Sequence, residues 1–292
     1  NFKEEKKNLM YIFKNNKLKK KLTKQIKNNN NIKLIKKNIT SVDHINGNIL
    51  LSKKIFFYDL IILSIGGQSK LYQNITNGRI IEKNYNEIAL TATVNHNSKI
   101  NEVSQFFLKE GPLAILPFKK NMFSVVWSMN SIFFQQKNKS IKEVLIKKIK
   151  IISNNIKIKK ISHVKSFPIN LNLKTKYFKK NILILGDGLH TIHPMAGQGF
   201  NLVLRDIKKL SNLISETLKL GLSLKNSFIL KDFYETRKPE NIIVGIGIDL
   251  TNMFFKDNKY FSPIKKKILN NINNFKFIKK ISQIISDKGI IT

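Results

Sequence analysis

The chain has 292 residues, 42% of them hydrophobic and 10% aromatic, and no cysteine. That composition supports a globular protein with one large core or two ordinary ones, and it excludes a disulfide framework, a zinc–thiolate site and a thiol nucleophile. Charge is lopsided, with 53 Lys and Arg against 18 Asp and Glu for a net +35.

Such a charge invites a nucleic-acid or anionic-membrane partner. Only Arg79, Arg205 and Arg237 are arginines, however, and Asn, Ile and Phe are in excess beside Lys, all residues with A/T-rich codons. The lysines are spread over the whole chain, which favours codon bias and solvated faces over a dedicated polyanion site. A basic nucleic-acid-binding protein stays as the alternative, carried by charge alone with no RNA- or DNA-binding signature. The opening NFKEEKKNLM neither begins with Met nor has the apolar core of a signal peptide, so the chain is expected to begin in mid-protein. No apolar run of about 18 residues predicts a transmembrane helix.

In chain order, residues 8–27 predict an amphipathic helix, with Leu9, Phe13, Leu18, Leu22 and Ile26 at four- to five-residue spacing. Asn46-Gly47 predicts a hairpin turn, and YDLIILSIGG reads as a buried strand ending on a glycine turn. EIALTATVNH, GPLAILPF and MFSVVWSMN predict short strands of an antiparallel sheet. Helix returns at 139–150, HVKSFPINLNL is extended, and NILILGDG is a second buried strand with a glycine exit. Residues 200–220 predict an amphipathic helix through Leu202, Leu210 and Leu213, and 226–292 is expected to be mainly helical. There is no internal repeat.

The stretch ILILGDGLHTIHPMAGQGFNLVLRD, Ile182 to Asp206, holds four glycines, two histidines, two aspartates and one of the three arginines. It reads as strand, glycine turn, loop and helix N-terminus, the place where ligands sit in an open α/β sheet. Gly197-Gln198-Gly199 at the helix start lets an extended ligand approach the main chain, where amide N–H groups and the helix dipole favour negative charge. Asp187 can accept hydrogen bonds from sugar-type hydroxyls, and Pro194 stiffens the loop. The bland alternative is a plain strand-to-helix connection, which rarely combines four glycines with a carboxylate. His190 and His193 invite a metal reading, but no third histidine stands at ligand spacing, so a loop-ordering role is favoured and no metal is expected. His44, His96 and His163 are isolated and read as surface or core residues. Arg205 and Arg237, in a chain where Lys replaces Arg almost everywhere, hint at bidentate contacts with acidic side chains.

GDGLHTIHPMAGQGFNLVLRD resembles the flavin-contacting motif of aromatic-ring hydroxylases of the p-hydroxybenzoate-hydroxylase type, of the form G-D-A-A-H, P, G-Q-G, N, D. YIFKNNKLKKKLTKQI resembles that family's substrate-side helix, YDLIILSIGGQSKL takes the place of its G-A-D-G-x-S-x-x-R turn, and FYETRKPEN resembles the start of its C-terminal helices. GPLAILPF followed by VVWS is similar to the subgroup that acts in ubiquinone biosynthesis.

The resemblance implies an α/β fold, the remainder of a Rossmann-like FAD-binding domain with an inserted antiparallel-sheet substrate domain and C-terminal helices. Residues 1–85 and 171–225 would then be FAD-binding, 86–170 the substrate domain, and 226–292 the helical region. It implies FAD as cofactor, held by Gly67, Gly186, Asp187, Pro194, Gly197, Gln198, Gly199 and Asn201, with NAD(P)H as co-substrate. The implied reaction is hydroxylation of a polyprenylated phenolic ring by dioxygen, in which no side chain need be a nucleophile. The Phe-rich strands around Trp127, which read first as core, would on this basis face a lipid-like aromatic substrate. The implied location is cytoplasmic, with peripheral contact to an anionic membrane or to a ubiquinone-biosynthesis complex. A related flavin oxidoreductase that reduces or halogenates stays open, because the motif binds flavin without naming the reaction.

Departures from the pattern are specific. Gly66 stands where the family has Asp, Tyr72 where it has Arg, and Gly188-Leu189 where it has an Ala pair. The family's first βαβ unit with G-x-G-x-x-G has no counterpart, and GIGID at 245–249 lacks the third glycine. A fragment or a decayed gene product without its front end is expected.

Overall fold

The computed structural model describes residues 11–255 apart from 53, 68, 77–79, 99, 101, 154–155 and 226–227. Leu9, Arg79 and the expected helical stretch 256–292 lie outside the described residues. In chain order the elements are α1 (Asn15–Lys27), β1 (Ile39–Asp43), β2 (Asn48–Leu51), β3 (Lys54–Phe57), β4 (Ile61–Leu63), α2 (Gln73–Thr76), β5 (Ile80–His96), β6 (Ser104–Leu108), β7 (Gly111–Lys119) and β8 (Met122–Asn130). They continue with α3 (Ser131–Lys137), α4 (Ile141–Ile152), β9 (Ile158–Lys174), β10 (Phe178–Lys179), β11 (Ile182–Ile184), β12 (His190–Thr191), α5 (Gln198–Lys219) and α6 (Phe228–Phe255). Two compact units result, one of Glu87–Pro168 with the residues up to Lys36, the other of Lys37–Asn86 with the residues from Ile169 onward. The helix α1, expected with the cofactor-binding residues 1–85, belongs instead to the first unit, where the Lys14 ammonium lies 4.7 Å from the centroid of the Phe118 ring.

The first unit is built on antiparallel strands neighbouring one another in the order β9-β5-β8-β7-β6, within a sheet that ends on β12. Side chains alternate across a strand, so Leu90, Ala92 and Val94 share a face and stand opposite Trp127, Val125 and Phe123. Leu113 and Ile115 extend that face from β7, again opposite Trp127 and Val125. Ile141, Leu145 and Ile149 recur every four residues along α4 and join the same core. Leu145 and Ile149 are fully buried, which stabilises by roughly 1.5–3 kcal/mol each. Trp127 is also fully buried, with Phe133 at 6.1 Å between ring centroids, so it is a core residue.

In the second unit β4 and β11 run parallel, with Ile61, Ile62 and Leu63 beside Ile182, Leu183 and Ile184, and β10 adds antiparallel to β11. All three β11 residues are buried, as expected of a parallel strand covered on both faces. The expectation of a buried strand holds in β4 for Ile61 and Leu63, whereas Ile62 is 42% exposed. Leu210 and Leu213 of α5 and Leu230 and Phe233 of α6 pack into the core with Leu63, Tyr72 and Tyr177. The hairpin β1–β2 closes through four residues rather than two. The Asp43 carboxylate accepts from the Asn46 side-chain amide at 2.7 Å, the Asn46 main-chain amide at 3.1 Å and the Ile45 amide at 2.8 Å, and these bonds hold its pKa below the usual carboxylate value. Among the described residues no helix is long and apolar enough to cross a membrane.

Two stability predictions follow from the first unit, and the single Trp127 reports both. Gly111 opens β7 at φ +131, and a Cβ there would fall on the Ser128 carbonyl oxygen. Gly111→Ala should therefore destabilise the sheet by at least about 2 kcal/mol, read as a lower urea midpoint of Trp127 fluorescence; an unchanged midpoint would contradict the packing. His96 is fully buried at the end of β5, where the Ser98 amide donates to its Nδ1, and burial lowers its pKa. Folding thus favours the neutral ring, whose contribution is complete above the unfolded value of about 6.5 and is lost as pH falls through the folded value. The midpoint should drop between pH 7 and pH 5, and less so in His96→Gln.

Candidate functional site

Because β4 and β11 are parallel neighbours, both strands deliver their carboxyl ends to one edge, and both end on glycines. The Leu185 amide donates to Leu63 O at 2.9 Å, carrying the ladder to the turn. Gly186 takes φ +75 and Gly66 takes φ +87, left-handed conformations that glycine adopts at no steric cost. A Cβ on Gly67 would stand 3.0 Å from Asp187 O and 3.2 Å from Thr191 Oγ1, so the two turns touch backbone to backbone. Gly67, Gly186 and Asp187, far apart in sequence, are brought together, with the Asp187 side chain exposed.

Tyr72 holds the first of these turns. Its buried hydroxyl accepts from the Ile65 amide at 3.1 Å. Burial raises the phenol pKa, against the Ile65 bond, and the Asp187 carboxylate raises it further. A Cβ on Gly188 would lie 2.6 Å from that hydroxyl and 2.7 Å from Ile184 Cγ2. Two departures from the family pattern are therefore one feature: the ring of Tyr72 fits because residue 188 has no side chain.

Beyond β12 the loop folds onto its own histidine. His193 is fully buried, its Nδ1 accepts from the Met195 amide at 3.1 Å, and its ring meets Tyr85 edge-on at 5.3 Å. Pro194 begins a 3-10 turn, Met195–Gly197, in which the Gly197 amide bonds Pro194 O at 3.2 Å. Gly197 caps α5 at φ +63, and nothing lies within 4 Å of where its Cβ would be. Among the described residues no side chain caps this 22-residue helix, and its first turn carries no Asp or Glu. Asn201 donates to the Gln198 carboxamide oxygen at 3.3 Å, and a Cβ on Gly199 would make an ordinary 3.6 Å contact with Ile192. The helix lies against the Gly186–Gly188 turn.

Beneath the loop is a buried polar cluster that the sequence signalled only through its arginines. Asp206 is fully buried in α5. It accepts from His190 Nε2 at 2.7 Å, from Arg237 Nε at 2.6 Å and from Asn241 Nδ2 at 3.2 Å. Arg237 also donates to Glu240 and, at 3.1 Å, to Asn241 Oδ1. Arg205 donates to Glu240 at 3.5 Å, and Asn241 to the Tyr177 hydroxyl at 3.3 Å. The expected acidic partners of Arg205 and Arg237 are Glu240 and Asp206. Burial drives the Tyr177 phenol far above its usual pKa, so it stays protonated. A carboxylate only accepts, which puts a proton on His190 Nε2; buried Nδ1 has no partner among the described residues. The described residues contain no group of three His, Asp or Glu able to hold a metal.

Glycine exits from adjacent parallel strands, feeding the open N-terminus of a long helix, define the ligand-receiving edge of an α/β nucleotide-cofactor protein. The FAD binding domain family matches residues 64–222, more than half of the chain, and the chain belongs to that family. It is 28% identical over 208 residues to the mitochondrial ubiquinone biosynthesis monooxygenase of Dictyostelium discoideum, covering 59% of this chain and 42% of that protein. It is also 28% identical over 155 residues to the 3-demethoxyubiquinol 3-hydroxylase of Escherichia coli, covering 53% and 40%. The chain thus spans less than half the length of these relatives. Its fold matches the crystal structure of PqsL, a probable FAD-dependent monooxygenase from Pseudomonas aeruginosa, with TM-score 0.67 and 17% identity over 85% of this chain and 71% of that one. The OxyS anhydrotetracycline hydroxylase of Streptomyces rimosus shares it at TM-score 0.63 and 11% identity, over 87% and 52%.

Removing one partner of a buried ion pair costs about 3–5 kcal/mol, because the other charge is left unpaired. Asp206→Asn should lower thermal stability by that amount. The triple change Asp206→Leu, Arg237→Met and Glu240→Gln, which also removes the carboxylate that Arg237 holds, should cost less than the single one. Equal losses in the two variants would mean that the pair is not coupled.

Proposed function

We propose that this protein is an FAD-dependent monooxygenase that hydroxylates a polyprenylated phenolic ring in ubiquinone biosynthesis, using NAD(P)H and dioxygen. The observation that carries the reading is Gly197: it stands at φ +63 with open space where a side chain would be, at the uncapped start of α5. A planar, electron-rich ring can lie against such a position, and the positive end of the helix dipole favours the negative charge that a flavin gains on reduction. The ubiquinone hydroxylases to which the chain is similar supply the substrate class.

In this reading Gly67, Gly186, Asp187, Pro194, Gly197, Gln198, Gly199 and Asn201 hold the cofactor. Asp187 accepts hydrogen bonds from its hydroxyls, and the main chain of Gly197-Gln198-Gly199 donates toward the pyrimidine edge of the ring. Pro194 sets the turn, the Gln198–Asn201 pair fixes the first helical turn, and Gly67 keeps the neighbouring turn close. Bound FAD supplies the redox chemistry, accepting reducing equivalents from NAD(P)H and activating dioxygen. The protein's part is to orient the ring and keep water away. The antiparallel sheet of the first unit is assigned to the substrate side.

The test is hydroxylation by protein expressed from its complete reading frame. With NAD(P)H, labelled dioxygen and a short-chain polyprenylphenol, one oxygen atom from dioxygen should enter the ring. Flavin that is reduced but yields only hydrogen peroxide with every phenol offered would refute the hydroxylase reading.

Binding has its own prediction. Gly197→Val would carry backbone strain at positive φ; Asn tolerates that conformation. Gly197→Asn should therefore abolish flavin retention without unfolding the chain. Asp187→Ala should weaken FAD binding by about 1.5–3 kcal/mol, roughly ten- to 150-fold, measured by quenching of flavin fluorescence. Full retention in Gly197→Asn would make this loop an ordinary connection.

A further inference from the structure

We infer that Tyr85 is a positioning residue for the flavin reaction. Through His193 it sets where the main chain at the start of α5 stands, and so how strongly that helix favours reduced over oxidised flavin. The inference rests on the flavin reading and adds to it a residue from outside the glycine-rich stretch. The Tyr85 and His193 rings meet at 5.3 Å between centroids and 89° between planes, the edge-to-face arrangement that aromatic quadrupoles prefer. His193 is fully buried and Tyr85 is 6% exposed, so either ring leaves this contact only by opening a void in close packing. His193 Nδ1 accepts from the Met195 amide at 3.1 Å, which ties the imidazole to the main chain two residues on. There the 3-10 turn Met195–Gly197 leads into α5, with Gly197 as its N-cap at φ +63. Among the described residues no side chain caps the helix, so the presentation of its first amide groups is left to this loop.

Tyr85 is itself held. Lys83 stands on the same face of β5, with its ammonium 5.4 Å from the centroid of the Tyr85 ring, within cation–π range. That ammonium donates to both carboxylate oxygens of Asp249 in α6 at 2.9 Å. The ion pair is partly exposed, so what it contributes is placement more than energy. Arg237 and Asn241 of α6 also hold Asp206. Helix α5 and the loop before it are thus both referred to α6, the helix through Asp206 and the loop through Asp249, Lys83, Tyr85 and His193. The dipole of a helix acts mainly within its first turn, so a small displacement of the loop reduces the preference for negative charge on the ring more than it reduces contact with the neutral ring. A tyrosine that served only to fill the core would affect stability and leave that preference alone.

Protein expressed from its complete reading frame and stripped of cofactor is titrated with oxidised FAD and, without air, with reduced FAD. Tyr85→Leu should weaken binding of reduced FAD about tenfold more than that of oxidised FAD. Tyr85→Phe, which keeps the ring, should change that ratio by less than about threefold. His193→Asn, whose carboxamide oxygen can take over the Met195 amide, should shift the ratio as Tyr85→Leu does. The double variant should shift it no further, because both changes break one contact. In the cofactor-free protein, hydrogen exchange at the Met195 amide should be faster in Tyr85→Leu than in the wild type. An unchanged ratio in Tyr85→Leu, or an unchanged Met195 exchange rate, would overturn the inference and leave the flavin reading standing. Wild-type protein that binds neither form of FAD would overturn the flavin reading and this inference with it. Should Tyr85→Leu fail to fold, the ratio in His193→Asn decides in its place.

Discussion

A single desolvated carboxylate organises the second unit. Asp206 sits one-third of the way along α5 with no access to water, and it is acceptable there only because Arg237, His190 and Asn241 surround it with donors. The donors come from two other parts of the chain: His190 from β12, Arg237 and Asn241 from α6. Taking any one away leaves a buried charge incompletely paired, a penalty of several kcal/mol in a fold whose whole margin is of order ten. The cluster therefore fixes where α5 lies against the Gly186–Gly188 turn and against α6. The N-terminus of that helix is where the cofactor is proposed to bind, so its placement is inherited from a charge cluster two turns downstream.

The same economy of contacts governs the turn after β4. The pattern it resembles carries Asp and Arg at the positions that this chain fills with Gly66 and Tyr72. The replacement is not a simple loss, because the Tyr72 hydroxyl caps the Ile65 amide from within the core and the missing side chain at Gly188 makes room for it. What is not restored is a carboxylate at position 66, where the backbone at φ +87 faces open space; any cofactor contact made there in the family has no side chain to make it here.

How much of this was legible in the sequence follows from the range of the interactions involved. Local features were readable: the glycine exits of β4 and β11, the start of α5 at Gly197–Gln198, and the alternation of β7 and β8, since each depends on residues within a few positions. The parallel pairing of β4 with β11 joins residues about 120 apart and came only with the family pattern. The four-residue closure at Asp43 was missed because an Asn-Gly pair signals the turn but not the carboxylate that replaces backbone donors on its flank. The roles of His190 and Tyr72 were invisible for the same reason as the charge cluster: their partners are brought by tertiary packing from elsewhere in the chain, and nothing in the flanking residues names them.

One signal of that cluster did survive in composition. Among 53 basic residues only three are arginine, and both of those within the described residues touch Glu240. Lysine offers a single ammonium on a flexible stem. It could not donate at once to Asp206, Glu240 and Asn241, three acceptors that Arg237 reaches through Nε and its two Nη atoms in one plane. A lysine there would also need desolvation of a compact, strongly hydrated charge, with all its donors on one atom. Where a chain drifts toward lysine at every position that tolerates it, the arginines that stay mark sites at which planarity and bond number, not charge, are what the fold requires.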